Sequence, residues 1–243
     1  PQIQQNLLER VAEINENIAV VLFSGRPLDL RDVQVKAKAI LEVWMPGTEG
    51  AGAITDVLYG RYNPTGKLPM SFPYCVGQVP VHYNEYATGR PHVEGKDKDR
   101  FRSKYLDIPN APLYPFGYGL SYTTFALDNE AVDAEMGWVT ATVENTGDRD
   151  GETVVQVYVQ DVDTKWETLH PHLAGFARVA LKAGEKRQIA VPLDKNAFTV
   201  VNDAGERVAD GKVFDVYCGL YQPDERSAEL TGQTPVKMTI RFE

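Results

Sequence analysis

Residues 113–125, Leu-Tyr-Pro-Phe-Gly-Tyr-Gly-Leu-Ser-Tyr-Thr-Thr-Phe, constrain this chain more than any other stretch. Regular helix or strand is closed to them. Pro115 fixes its own φ and lacks an N–H, while Gly117 and Gly119 open backbone conformations that other residues avoid. Tyr114, Phe116, Tyr118 and Tyr122 are interleaved with these breaks. A period-2 pattern begins directly afterwards. Two readings fit: an ordered, aromatic-packed junction between two domains, or a loop that touches a ligand.

Upstream, strand and helix patterns alternate. Ile3, Leu7, Leu8, Val11 and Ile14 recur at helical spacing. Residues 18–23 are continuously apolar, as in a strand buried on both faces. Ser24-Gly25-Arg26-Pro27 ends that run. A short helix is expected over residues 32–38, a second strand over 39–44 and a helix over 49–58, with Gly60 as its C-cap. This order predicts a mainly parallel sheet covered by helices. Residues 61–120 are rich in proline and glycine and show little periodicity beyond a short strand at Met70-Ser71-Phe72. A loop as long as 74–118 inside a compact domain is functional or an insertion.

Downstream, period-2 alternation predicts strands over 138–144, 154–160, 186–193, 213–220 and 236–242. Turn signals separate them, among them Asn145-Thr146-Gly147-Asp148 and Asp203-Ala204-Gly205-Glu206. Short strands with regular turns define a β-sandwich. The expected fold is therefore α/β followed by all-β, with domains over 1–120 and 121–243.

A net charge of −9 and the lack of a Lys/Arg cluster argue against a nucleic-acid binder. Run 94–102 mixes both charge signs, as a solvated loop does. No apolar run reaches the roughly 18–20 residues of a membrane-spanning helix. Cys75 and Cys218 lie in different predicted domains and read as free thiols. His82, His92, His170 and His172 have no metal-ligand spacing, and no Gly-rich nucleotide signature occurs, so no metal or cofactor is expected. The chain opens at Pro1 on a polar, helix-like segment rather than a signal peptide, which reads as a start inside something longer.

Four blocks resemble family 3 glycoside hydrolases of the β-glucosidase type. They are Ser24-Gly25-Arg26-Pro27, Trp44-Met45-Pro46-Gly47-Thr48-Glu49-Gly50, residues 62–73 (Tyr-Asn-Pro-Thr-Gly-Lys-Leu-Pro-Met-Ser-Phe-Pro) and the 113–125 stretch. They stand in the family's order. Val143-Glu144-Asn145-Thr146-Gly147 and Leu173-Ala174-Gly175-Phe176 resemble segments of the family's fibronectin type III-like domain. The resemblance implies the second portion of an α/β sandwich domain, then that fibronectin III-like sandwich. It implies a retaining exo-β-glycosidase that removes terminal non-reducing β-D-glucosyl residues from an oligosaccharide or β-glucoside, without a cofactor. Such enzymes carry an Asp nucleophile on an N-terminal (β/α)8 barrel and commonly a Glu acid/base in a loop shortly before a segment like Pro1-Gln2-Ile3-Gln4-Gln5. By resemblance neither catalytic carboxylate is in this chain, and its partner is the barrel fragment of the same enzyme. A secreted or periplasmic location is implied as well. The other reading is a non-catalytic carbohydrate- or protein-binding module of the same two folds.

Sugars present apolar faces and hydroxyl edges, so their sites mix aromatics with fixed polar groups. Residues 81–92 and 101–107 have that composition and resemble loops near the active-site mouth of such enzymes. Within them Arg90, Tyr105, Tyr83 and Asn84 are the candidates for substrate binding. The loop could serve its own subunit or, in a homodimer, its neighbour. Interdomain packing is the alternative. Glu49 reads as a helix N-terminal cap or as packing of the strand–helix turn, and Glu42 as a paired structural group. Glu85, Asp97, Asp99 and Asp107 read as solvated. Trp44 and Trp138 read as core, Trp166 as exposed in a polar loop, and His170-Pro171-His172 as an exposed turn.

Overall fold

The computed structural model describes residues 2–85, 88–92, 99–166 and 170–242. The first part of the chain forms α1 (Gln2–Ala12), β1 (Ala19–Leu22), α2 (Arg31–Lys36), β2 (Ala39–Glu42) and α3 (Gly50–Leu58), in the expected order. β1 and β2 pair in parallel, with Ala19 opposite Ala39. A small core of Leu30, Phe72 and Leu113 joins this pair to the region that follows, with Leu22, Ile40 and Trp44 packed on it. Gly60 takes a left-handed φ of 70° just past α3, the conformation that ends helices at low steric cost.

Burial on both faces, expected of residues 18–23, is not met here. β1 is only half-buried, and Phe23 beside it is 60% exposed. The strand has one paired neighbour, and the apolar face of α1 does not cover it: Ile3 and Leu7 are 74% and 65% exposed. Glu49 stands at the N-cap of α3, but its side chain makes no capping hydrogen bond.

The sandwich is built from β3 (Phe125–Asp133), β4 (Trp138–Asn145), β5 (Gly151–Asp161), β6 (His172–Leu181), β7 (Lys186–Pro192), β8 (Val200–Val201), β9 (Arg207–Val208), β10 (Val213–Gly219), α4 (Glu225–Thr231) and β11 (Val236–Arg241). One sheet has the order β11-β10-β5-β6, the other β3-β4-β7, and β8 pairs with β9. All pairings in the two larger sheets are antiparallel. Val139, Val143, Val155, Val157, Val191 and Val216 fill the space between them and are fully buried. The five strands read from alternation recur with nearly the expected bounds. β6 and α4 were not expected, although Asp224 caps α4 by accepting from Ser227 N at 2.9 Å.

Trp138 is 38% exposed rather than core. It opens β4 on the face opposite Val139, and alternation turns it outward. Cys75 and Cys218 are free thiols. Burial in the sandwich core pushes Cys218 up to about 12. Among the described residues no helix is long and apolar enough to cross a membrane, and no group of His, Cys, Asp or Glu could hold a metal ion.

Candidate functional site

β5 is buried on both faces. Val155, Val157 and Val159 point into the sandwich, whereas Gln156 and Tyr158 face the 113–125 stretch and are also buried. Gln156 Nε2 donates to Gly117 O at 3.0 Å and to Leu220 O at 2.8 Å, and Gln156 Oε1 accepts from Tyr158 Oη at 2.6 Å. Gly117 makes this approach feasible. Its φ is +76°, and a Cβ there would lie 2.3 Å from Gln156 Oε1. Around it the rings interlock: Tyr114 stacks on Tyr118 at 5.5 Å, and Phe116 stacks on Tyr83 at 4.1 Å and 10°. The stretch is thus an aromatic-packed junction between the α/β part and the sandwich.

Lys67 sits in the same junction. Its Nζ donates to Gly119 O at 2.7 Å and lies 4.2 Å from the centre of the Tyr221 ring. Burial pulls the ammonium down to about 8, while the carbonyl and the ring face favour the charge it keeps. Asn63 ties the two parts as well. Its Oδ1 accepts from Ser121 Oγ and Tyr122 N, each at 2.8 Å, and its Nδ2 donates to Asp150 O at 3.2 Å.

The long loop springs from this junction. Ser103 N donates to Arg90 O at 2.8 Å, Arg102 Nη1 donates to Pro91 O at 3.0 Å, and Thr88 Oγ1 to Ser103 Oγ at 2.9 Å. These bonds bring the arms carrying Arg90 and Tyr105 together. Arg90 and Asn84 are exposed. Tyr105 is 39% exposed, with its hydroxyl 3.4 Å from Gln78 O. Tyr83 is set apart from them: its ring lies between Phe116 and Tyr158, and its hydroxyl accepts from Leu173 N at 3.2 Å. Glu85 and Asp107 are exposed, and Asp99 accepts from Arg102 Nε at 2.9 Å. Asp97, the 94–98 portion of the charged run, Tyr86, Ala87 and Pro1 lie outside the described residues.

Glu42 closes β2 and is turned toward its own backbone, where Trp44 N donates to Oε1 at 2.8 Å and Ser24 Oγ lies 3.2 Å from both carboxylate oxygens. No cationic partner of Glu42 is seen among the described residues. Desolvation raises its pKa. Trp44 packs against Phe72 at 5.8 Å. Trp166 is half-buried, with Lys165 Nζ 4.1 Å from its ring centre. His170 and His172 are not an exposed turn: both are half-buried, desolvation lowers both imidazoles, and His172 opens β6.

Gln78, Gln156 and Lys67 carry much of this architecture and were not singled out from sequence. Gln156 had a signal, being a polar residue at a buried register of an otherwise apolar strand. Gln78 and Lys67 had none, because their partners are backbone carbonyls far along the chain.

A parallel-strand α/β part locked through an aromatic junction to a fibronectin-type sandwich is the C-terminal architecture of a class of sugar-cleaving enzymes. Residues 1–122 match the glycosyl hydrolase family 3 C-terminal domain, and residues 153–221 match a fibronectin type III-like domain. The chain belongs to glycosyl hydrolase family 3. It is 44% identical over 226 residues to a periplasmic beta-glucosidase of Salmonella typhimurium, covering 90% of this chain and 29% of that protein. It is 38% identical to a beta-xylosidase of Formosa agariphila, covering 89% of this chain and 30% of that protein. A solved beta-glucosidase from Listeria innocua in complex with glucose superposes with a TM-score of 0.86 at 36% identity, covering 99% of this chain and 33% of that one. The chain therefore spans about a third or less of the length of these relatives.

Proposed function

We propose that this chain is the C-terminal part of a retaining exo-β-glycosidase that releases terminal β-D-glucosyl residues. The observation that carries the reading is the similarity, along 90% of this chain, to a periplasmic beta-glucosidase. Retaining hydrolysis needs two carboxyl groups about 5 Å apart, one as nucleophile and one as acid/base. In this proposal neither comes from residues 1–243. The geometry of the acids supports that: Glu42 is occupied with Ser24 and Trp44, and Asp99 with Arg102. An N-terminal (β/α)8 barrel supplies the nucleophile, on the same polypeptide or a separate one. The chain divides near residues 120–121 into the α/β part and the sandwich.

The chain's own contribution is the wall of the leaving-group subsite. Arg90, Tyr105 and Asn84 offer a cation, an aromatic face and an amide to a departing sugar or aglycone. Tyr83 contributes from beneath, by anchoring the loop on Phe116. The enzyme works outside the cytoplasm, where oligosaccharides are met. The test is a mechanism-based label. A 2-deoxy-2-fluoro-β-glucoside with a good leaving group, given to the complete enzyme, should leave a glycosylated Asp in the barrel and none within residues 1–243. A labelled residue inside this chain overturns the assignment.

A further inference from the structure

Gln78 is almost fully buried, yet it sits at the base of a solvent-exposed loop. It ends a single 3-10 turn, Val76–Gln78. Its side-chain oxygen accepts from Tyr74 N at 2.6 Å. Its two amide hydrogens are shared among three consecutive carbonyls: Pro109 O at 3.3 Å, Asn110 O at 2.9 Å and Ala111 O at 3.1 Å. One side chain therefore joins the outgoing arm of the loop to the returning arm, about 30 residues further on.

The tie extends to the candidate binding residues. Asn110, whose carbonyl Gln78 holds, accepts from Tyr105 N through its own Oδ1 at 2.9 Å. The Tyr105 hydroxyl returns to the Gln78 main-chain oxygen at 3.4 Å. Two residues before Tyr105, Ser103 N donates to Arg90 O at 2.8 Å. A continuous set of bonds thus runs from Gln78 through Asn110 and Tyr105 to the arm bearing Arg90. A buried amide bonded through both its oxygen and its nitrogen locks geometry, because any displacement strands several groups at once.

We propose that Gln78 is the positioning residue for the leaving-group subsite: it holds Tyr105, and through the 103–105 arm Arg90, where they meet the departing sugar. This inference rests on the reading of the loop given under Proposed function. Gln78 touches no substrate itself, so its effect should follow the size of the leaving group.

The test uses the complete enzyme carrying Gln78→Ala or Gln78→Met. The Met variant keeps the side chain's length and removes its polar atoms without adding a charge, so it decides the matter if the Ala variant fails to fold. Two substrates are compared: a β-linked glucose disaccharide, and β-glucosyl fluoride, whose leaving group is one atom. Amide hydrogen exchange at Ser103 and Tyr105 is followed in parallel. The expected result is faster exchange at both amides, a KM for the disaccharide raised about tenfold, and kcat/KM for the fluoride within about twofold of the parent. Unchanged exchange overturns the positioning role alone. Equal losses on both substrates also overturn it, because they mark a merely structural residue. Faster exchange with an unchanged disaccharide KM overturns the leaving-group reading of the loop, and the inference with it.

Discussion

Lys67 is a buried lysine whose ionisation departs well from its solvent behaviour. Free lysine ionises near 10.5, and burial brings Lys67 to about 8 in the folded chain. Between these values the unfolded chain holds a proton that the folded chain has released. Stability due to this group is therefore lowest below pH 8 and rises with pH up to about 10.5. The rise amounts to about 3 kcal/mol. The buried phenols oppose it above pH 10; Tyr118, pushed up to about 12 by burial, is one of them. Denaturant melts from pH 7.5 to 9.5 should show a rise in the parent protein and none in Lys67→Met, whose stability falls from about pH 9 as the unfolded Cys218 thiol ionises. Gly117 gives a second residue-scale prediction. Gly117→Ala places a methyl against Gln156 Oε1 at a φ of +76°, and should cost about 3 kcal/mol in a urea melt. A cost under about 1 kcal/mol would mean that the junction relaxes freely.

At the scale of elements, the long loop is anchored by Tyr83. Its ring fills the space between Phe116 and Tyr158, and its hydroxyl serves Leu173 N. Tyr83→Ala should therefore destabilise by about 3 kcal/mol, whereas Tyr83→Phe should cost about 1, read as shifts in melting midpoint. Equal effects would mean that the hydroxyl alone matters. Elements with a strong local pattern are legible in the sequence. β5 and β10 alternate clearly, and β1 and β2 are apolar runs of strand length. β6 is not, because its Ala-Gly-Phe-Ala sequence has weak alternation and gains its regularity from pairing with β5. The half-exposure of β1 follows from its single paired neighbour: an apolar run reports what a strand can bury, and not which neighbours are present. Arg90, Asn84 and Tyr105 belong to segments of mixed aromatic and polar composition and lie on the exposed loop, while Tyr83, of the same composition, is an anchor. Composition does not distinguish a ring that faces solvent from one stacked 4.1 Å beneath it.

For the whole molecule, the asymmetry between the two parts sets its behaviour. The sandwich has a closed core of fully buried valines. The α/β part leaves Ile3, Leu7, Phe23, Val35 and Met45 exposed on α1, α2 and the strand ends, an apolar surface of the kind that drives association. Residues 1–243 alone should self-associate in sedimentation, and Leu7→Glu with Val35→Glu should shift them toward monomer. Amides of β4, β5 and β10 should exchange far more slowly than those of β1 and β2. Uniform protection across both parts would contradict this picture. The central claim is that this chain completes a β-glucosidase whose nucleophile lies elsewhere. Its most direct test is hydrolysis of an aryl β-glucoside by residues 1–243 alone, by a barrel polypeptide alone, and by the two mixed in equal amounts. The account predicts turnover only in the mixture. Turnover by residues 1–243 alone would contradict it.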